Sequence, residues 1–165
     1  SLPIHVRSLR NVMAFMRTSS TINSTTTNDR DLTYNYNSCN SYQLRIAHEL
    51  IPQETITCSG SAVEAFVEVQ RVFDQDDTLF KQSHGLVNLN NFTNDAFVMG
   101  LDLRRSRPHG EEGKYHISGR DSRAQPVQFD MVLGGALGVN NQLEEVFFYD
   151  MILKADPSGA LLRIE

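Results

Sequence analysis

The sequence is poor in basic residues, in cysteine and in long apolar runs, and each shortage excludes something. Fifteen Lys and Arg stand against 20 Asp and Glu, leaving a net charge of −5 and a pI near 5.5. A nucleic-acid surface needs clustered positive charge, so no specific nucleic-acid partner is expected. The one basic run, Arg104, Arg105 and Arg107, sits beside a turn and reads as a solvated loop rather than a phosphate site. There are only two cysteines, Cys39 and Cys58, and nothing in their spacing brings them together. They read as free thiols in a protein assembled in a reducing compartment. No apolar run approaches the ~18 residues a spanning helix requires, so no membrane span is expected. The opening Ser1-Leu-Pro-Ile-His-Val-Arg7 has no long apolar core and no cleavage site, unlike a signal peptide. It also lacks a starting Met, and the chain is expected to be a processed or excised piece of a longer protein.

Reactive motifs are equally scarce. There is no Gly-x-Ser-x-Gly elbow to expose a nucleophile, and His5, His48, His84, His109 and His116 are scattered. His109 and His116 flank a turn that carries Glu111 and Glu112. A sandwich metal site would place its histidines two apart, so this reads as a polar turn. Asp74-Gln-Asp-Asp77 offers hard oxygens, but Leu79 and Gly85 stand where a calcium loop needs its Gly and Glu. Gly134-Gly-Ala-Leu-Gly138 follows a strand pattern without the Lys-Ser/Thr of a phosphate loop. The triplets Asn23-Ser-Thr25 and Asn91-Phe-Thr93 match a glycosylation signal, one common by chance. No catalytic, cofactor-binding or metal-ligating residue is assigned, no cofactor is expected, and an enzyme is not.

What is present is alternation. Phe97, Met99, Leu101 and Leu103 alternate with Val98, Gly100, Asp102 and Arg104, the period of a strand with one apolar face. A Gly-containing turn follows, then β-prone Lys114-Tyr-His-Ile-Ser-Gly119. Val12 to Arg17 is short and apolar, a buried strand. Tyr42, Leu44 and Ile46 alternate with Gln43, Arg45 and Ala47 in a strand with one wet face. Ile51-Pro52 is expected to break that segment, and Glu54 to Cys58 to make another short strand. Val127, Phe129, Met131 and Leu133 form a clean strand after Pro126. Glu145 to Ala155 reads as one long strand, turning at Asp156-Pro-Ser-Gly159 into a last strand at Ala160 to Ile164. The polar tract 18–40 cannot build a core and reads as a long loop. One helix is expected at about 61–73. Ser61 and Glu64 form a capping box, and Ala62, Ala65, Phe66, Val69 and Phe73 recur at helical spacing. Its Phe66 and Phe73 face is expected on one edge of the sheets. The sum is an all-β fold: one domain over residues 1–165, an eight-stranded antiparallel jelly-roll sandwich with one inserted helix. A chain of this length buries about 70% of its unfolded surface and needs no staple.

Four stretches, in order, resemble a known family. They are Leu9-Arg-Asn-Val-Met-Ala-Phe-Met-Arg17; Tyr42-Gln-Leu-Arg-Ile46 leading through Ile51-Pro52 to Ala65-Phe66; Phe97-Val-Met-Gly-Leu-Asp-Leu103 before Ile117-Ser-Gly119; and Val146-Phe-Phe-Tyr-Asp-Met-Ile-Leu153. Their order and spacing are similar to the C-terminal jelly roll of double jelly-roll major capsid proteins of the polinton-like virus, adintovirus and virophage type. The chain supplies about one jelly roll where that family carries two. The resemblance implies a viral capsid structural protein in the virion, assembled inside the host cell. It implies self-association as homotrimers tiling an icosahedral shell, with other capsid proteins or the missing N-terminal jelly roll as partners. The alternative is a jelly-roll ligand- or glycan-binding attachment module. For that, Asp31, Tyr34, Asn35, Tyr36 and Asn37 are the candidate loop residues, with a solvated loop as the plainer reading.

Overall fold

The structure, a computed structural model, describes residues 2, 4–18, 36, 38–60, 62–74, 89–93, 96–104, 119–135, 141–150, 152–155 and 161–164. Its strands are β1 (Leu9–Thr18), β2 (Cys39–Ile46), β3 (Glu49–Thr57), β4 (Met99–Asp102), β5 (Val127–Leu133), β6 (Asn141–Tyr149), β7 (Ile152–Ala155) and β8 (Leu161–Ile164). The helices are α1 (Val63–Asp74) and the single turn α2 (Leu89–Phe92). Three-stranded sheets of order β4-β1-β6 and β3-β2-β5, antiparallel throughout, pack over one apolar core. The fold is therefore mostly β and consistent with an all-β sandwich.

Six strands, not eight, build these two sheets among the described residues; β7 and β8 pair with each other in a separate hairpin. The sequence reading and the described strands differ in two places. The expected strand at Lys114 to Gly119 lies, except for Gly119, outside the described residues. The expected long strand from Glu145 to Ala155 ends at Tyr149. The Asp150 amide still donates to Ser8 O at 3.0 Å, the next position in register after Leu9 opposite Tyr149, and β7 starts at Ile152.

In β1, Val12, Ala14 and Met16 are buried in alternation. Its register runs from Leu9 opposite Tyr149 to Thr18 opposite Asn141 on one side, and from Asn11 opposite Asp102 to Ala14 opposite Met99 on the other. As the central strand, β1 is committed on both edges. In β4 the expected apolar face is buried (Phe97, Met99, Leu101 and Leu103), but Val98 and Gly100 are buried too. The cause is α1, which lies against β4. A Cβ on Gly100 would come within 3.2 Å of the Val69 Cα and of the Val69 and Val72 Cγ2 atoms, so only a residue without a side chain lets the helix this close.

The strands β2 and β3 form a hairpin that closes at Ala47, whose φ is +55°, with Ile46 opposite Glu49. Pro52 does not end the strand, contrary to the sequence expectation. It lies on an edge strand, where a missing N–H is tolerated, and the register shifts between Tyr42 and Leu44. The side chain of Gln43 satisfies this irregular stretch, its Nε2 donating to Pro52 O at 2.6 Å and to Gln53 O at 3.2 Å.

The helix α1 begins one to two residues later than its capping box suggests. Ser61 lies outside the described residues. The Glu64 carboxylate accepts the Thr57 amide at 2.8 Å and ties α1 to the end of β3. The first helical hydrogen bond runs from Phe66 N to Ala62 O. Ala65, Val69 and Val72 form the buried stripe, with Phe66 and Phe73 half-buried beside it. Phe66 packs on Phe92 of α2, and Phe92 on Phe97, with ring centroids 5.3 and 5.2 Å apart. The fully buried Phe92 and Phe97 each contribute about 1.5–3 kcal/mol of apolar burial. The helix thus closes the side of the sandwich bounded by β3 and β4, and β5 and β6 bound the other.

Candidate functional site

Most residues singled out for chemistry do not converge. His5 and His48 are separately exposed. His84, His109, His116, Glu111 and Glu112 lie outside the described residues, as do Asp31, Tyr34, Asn35 and Asn37, Arg105 and Arg107. Among the described residues no group of three or more His, Cys, Asp or Glu is arranged to hold a metal ion. Two expectations are corrected. Tyr36 is not part of a ligand-binding loop tip: its Oη donates to Cys58 O at 2.6 Å and its ring meets Phe97 edge-on at 4.9 Å. Nor is Arg104 a solvated loop residue, because its side chain is 4% exposed and paired with Asp102.

The structure does assemble three polar clusters. The first lies where β1, β4 and α1 meet. Asp102 Oδ1 accepts from the Arg104 backbone amide at 3.1 Å and from Arg104 Nε at 3.0 Å. In its hydrogen-bonding orientation, the amide of fully buried Asn11 donates to the same oxygen at 3.2 Å and to Arg10 O at 2.8 Å. A buried carboxylate with three donors is well satisfied, whereas Arg104 Nη2 is buried without a partner. Across from it on α1, Glu68 pairs with Arg71. Burial raises the Glu68 carboxyl above its ordinary value, more than the charge of Arg71 lowers it.

The second cluster ties down the N-terminal segment. Leu2 bridges to Val127 of β5, and seven residues on Leu9 exchanges backbone hydrogen bonds of 2.8 and 2.9 Å with Arg120. Between them Val6 N donates to Ser122 Oγ at 3.0 Å, and Ser122 N to Val6 O at 2.9 Å. Ser8 Oγ accepts from Gly119 N at 2.9 Å and donates to Asp150 Oδ2 at 2.7 Å, while Arg10 holds the other Asp150 oxygen at 3.4 Å. This segment is a strap that starts on one sheet and finishes in the other. A Ser, a carboxylate and a backbone amide in line are enough to fix a crossing. These contacts fix where the strap crosses from one sheet to the other.

The third cluster is the pair Cys39 and Cys58. Both thiols are fully buried and free, and they are hydrogen-bond partners. The hydrogen bond from Cys58 pulls the Cys39 thiol below its ordinary value against the opposing effect of burial. The same bond and burial push the Cys58 thiol far up. Tyr42 lies nearby, its Oη donating to Gly100 O at 3.1 Å across the two sheets and its ring stacked on Phe129 at 5.8 Å. Burial raises its hydroxyl well above the ordinary tyrosine value.

Outside these clusters, exposed large apolar side chains lie on both sides of the sheets: Leu50 on β3, Val63 and Val67 on α1, and others on β5 and β6. Val132 is 56% exposed, and Leu143, Val146 and Tyr149 are exposed along β6. Each of these strands is the last in its sheet.

Composition gave no sign of the three clusters, because each is made by pairing distant segments. One trace was visible: Asp102 and Arg104 stand two apart in a stretch that alternates with period 2, the spacing that puts both on one face of a strand. No family model, curated protein or solved structure matches the chain.

Proposed function

We propose that this chain is a structural subunit of a viral shell, a jelly-roll domain whose function lies in its contacts with other subunits rather than in catalysis. The observation that carries the reading is the apolar surface of the edge strands. Val132 on β5 and Leu143, Val146 and Tyr149 on β6 are exposed, on edge strands other than β3 and β4, the ones α1 packs against. Exposed apolar residues on sheet edges are an aggregation hazard in a protein that stays alone, and a docking surface in one that assembles. The sandwich architecture and the order of four sequence stretches, similar to the C-terminal jelly roll of double jelly-roll major capsid proteins, support the same reading. In it the subunits associate as homotrimers within an icosahedral virion formed inside the host cell. The second jelly roll comes from another chain or from a missing N-terminal half. The attachment-module alternative loses support from Tyr36, which is packed inward rather than offered to a ligand.

Light scattering on the purified chain across concentration tests the proposal. A trimer or larger particle is expected, and Val146→Lys should shift it toward monomer while leaving the circular dichroism unchanged. A folded wild type that remains monomeric at the highest soluble concentration, alone and when mixed with a candidate N-terminal jelly roll, overturns it.

A further inference from the structure

Cys39 opens β2, and Cys58 follows the last residue of β3, the strand paired with it. A regular ladder would put Cys58 opposite Asn40, on the face Asn40 shares, and Asn40 is exposed. The ladder is not regular there. The Asn40 carbonyl takes two amides, Cys58 N at 2.7 Å and Ser59 N at 3.2 Å. The chain bends at that point, and the Cys58 thiol is buried as the hydrogen-bond partner of Cys39. Tyr36 closes the bend by donating its hydroxyl to Cys58 O at 2.6 Å. The result is two adjacent thiols at 0% exposure, held by the backbone of paired strands.

We propose that Cys39 and Cys58 are a redox-modification site, closing to a reversible intrachain disulfide when the protein meets a small hydroperoxide. Burial selects the oxidant. A bulky disulfide such as oxidised glutathione cannot reach a thiol with no exposed surface, whereas hydrogen peroxide is little larger than water. The step balances in two stages. The Cys39 sulfur attacks one peroxide oxygen, the O–O bond breaks, and with transfer of its proton the products are the Cys39 sulfenic acid and one water. The Cys58 sulfur then attacks the Cys39 sulfur, the S–O bond breaks, the S–S bond forms, and the Cys58 proton leaves with the hydroxyl as a second water. Two thiols have lost two electrons and two protons, and one peroxide has become two waters. The acidified Cys39 fits the role of attacking thiol, and its hydrogen-bond partner is already in place as the resolving one. A dithiol reductant reverses the change by exchange once unfolding exposes the disulfide.

The test uses the full chain, reduced and freed of reductant. It is exposed to hydrogen peroxide, quenched with catalase, unfolded in guanidinium with N-ethylmaleimide present, and weighed intact. Before peroxide both cysteines are expected to take up maleimide. Afterwards the chain should weigh two hydrogens less, take up none, and yield one linked peptide containing Cys39 and Cys58. Dithiothreitol added in guanidinium before the alkylation should restore both labels. The Cys58→Ala variant should stop at a Cys39 sulfenic acid that dimedone traps. The wild-type measurement decides the matter even if that variant fails to fold. Full maleimide uptake after peroxide, disulfide-linked dimers in place of the intrachain link, or oxidation to sulfonic acid that the reductant cannot reverse would each overturn the proposal.

Discussion

Replacing Gly119 by alanine tests whether the strap crossing is as tightly fixed as its hydrogen bonds imply. A Cβ at this position would lie 2.5 Å from Leu9 O, 2.7 Å from Leu9 C and 2.6 Å from Ser8 Oγ. An ordinary carbon-to-oxygen contact is about 3.3 Å, so the new methyl overlaps the carbonyl by about 0.8 Å. Leu9 O cannot retreat freely, since it accepts Arg120 N at 2.9 Å while Leu9 N donates to Arg120 O at 2.8 Å. Ser8 Oγ is held between Gly119 N and Asp150 Oδ2. Either the Leu9 to Arg120 exchange opens or the serine lets go. Overpacking costs about 1–3 kcal/mol, and one or two lost hydrogen bonds add about 0.5–1.5 kcal/mol each. Lower entropy of the unfolded chain offsets about 0.4–1 kcal/mol of this. Gly119→Ala should therefore destabilise the fold by about 2–4 kcal/mol, which for a domain of this size lowers Tm by about 5–15 °C. Urea unfolding followed by circular dichroism measures it, as a lower midpoint with an unchanged slope. Gly135→Ala is the matched control, because nothing lies within 4 Å of a Cβ there; it should be neutral or slightly stabilising. A Gly119→Ala variant within about 0.5 kcal/mol of wild type would refute the geometry, because no rearrangement that small frees the carbonyl.

Tyr42→Phe keeps the ring on Phe129 but deletes the hydroxyl that donates to Gly100 O. It should cost about 1–2 kcal/mol in urea unfolding, and a neutral result would mean that the buried carbonyl finds another donor. Glu68→Gln addresses pH dependence. The native Glu68 carboxyl is raised, by burial first and by Glu64 and Asp102 in addition, against the lowering charge of Arg71. Between the unfolded value near about 4.3 and the raised native one, the native state holds more protons than the unfolded chain. Stability contributed by Glu68 therefore falls as pH rises through that window and stays lower above it. The stability of wild type minus that of Glu68→Gln should decline across the window and then level off; a flat difference from about pH 4 to pH 8 contradicts the assignment.

Period-2 patterning located β2, β4 and β5, and a short apolar run located β1, because each has an inward face whose residues repeat along one short segment; turn composition at Asp156-Pro-Ser-Gly159 located the β7–β8 hairpin. Val12, Ala14 and Met16 show it, as do Met99 and Leu101. Helical spacing located α1 for the same reason, although Ala65, Val69 and Val72 carry the buried stripe and Phe66 and Phe73 only flank it. Features set by a distant partner were not legible. Asp150, at the end of β6, is held through its amide and carboxylate by Ser8 and Arg10 from the other end of the chain. Pro52 stays in a strand because Gln43 supplies two donors to the carbonyls around it. Tyr36 sits in a polar tract by composition and in the core by contact. The two cysteines are 19 positions apart in sequence and adjacent only because a hairpin folds one strand back on the other.

The polar contacts explain how a sandwich with a plain apolar core keeps one arrangement of its sheets. Apolar burial is non-directional: it drives β4-β1-β6 onto β3-β2-β5 but barely distinguishes one sliding position from the next. Hydrogen bonds between elements do distinguish them. Tyr42 of β2 reaches Gly100 of β4. The strap joins Val127 of β5 to Leu9 of β1, with Arg120 continuing from Leu9 to the Glu49 carboxylate of β3 at 2.6 and 2.7 Å. Glu64 of α1 holds the Thr57 amide while Val69 and Val72 hold Gly100. These links bracket the sandwich from different sides, so sliding one sheet by a residue would break all of them together. Directional links are also the kind that leave a buried group unsatisfied when lost, which makes the wrong registers costly rather than merely less favourable. A domain that docks through the edges of β5 and β6 needs this property. In the proposed assembly each copy would present Val132, Leu143, Val146 and Tyr149 in the same relative positions, which follow from how the two sheets lie on each other.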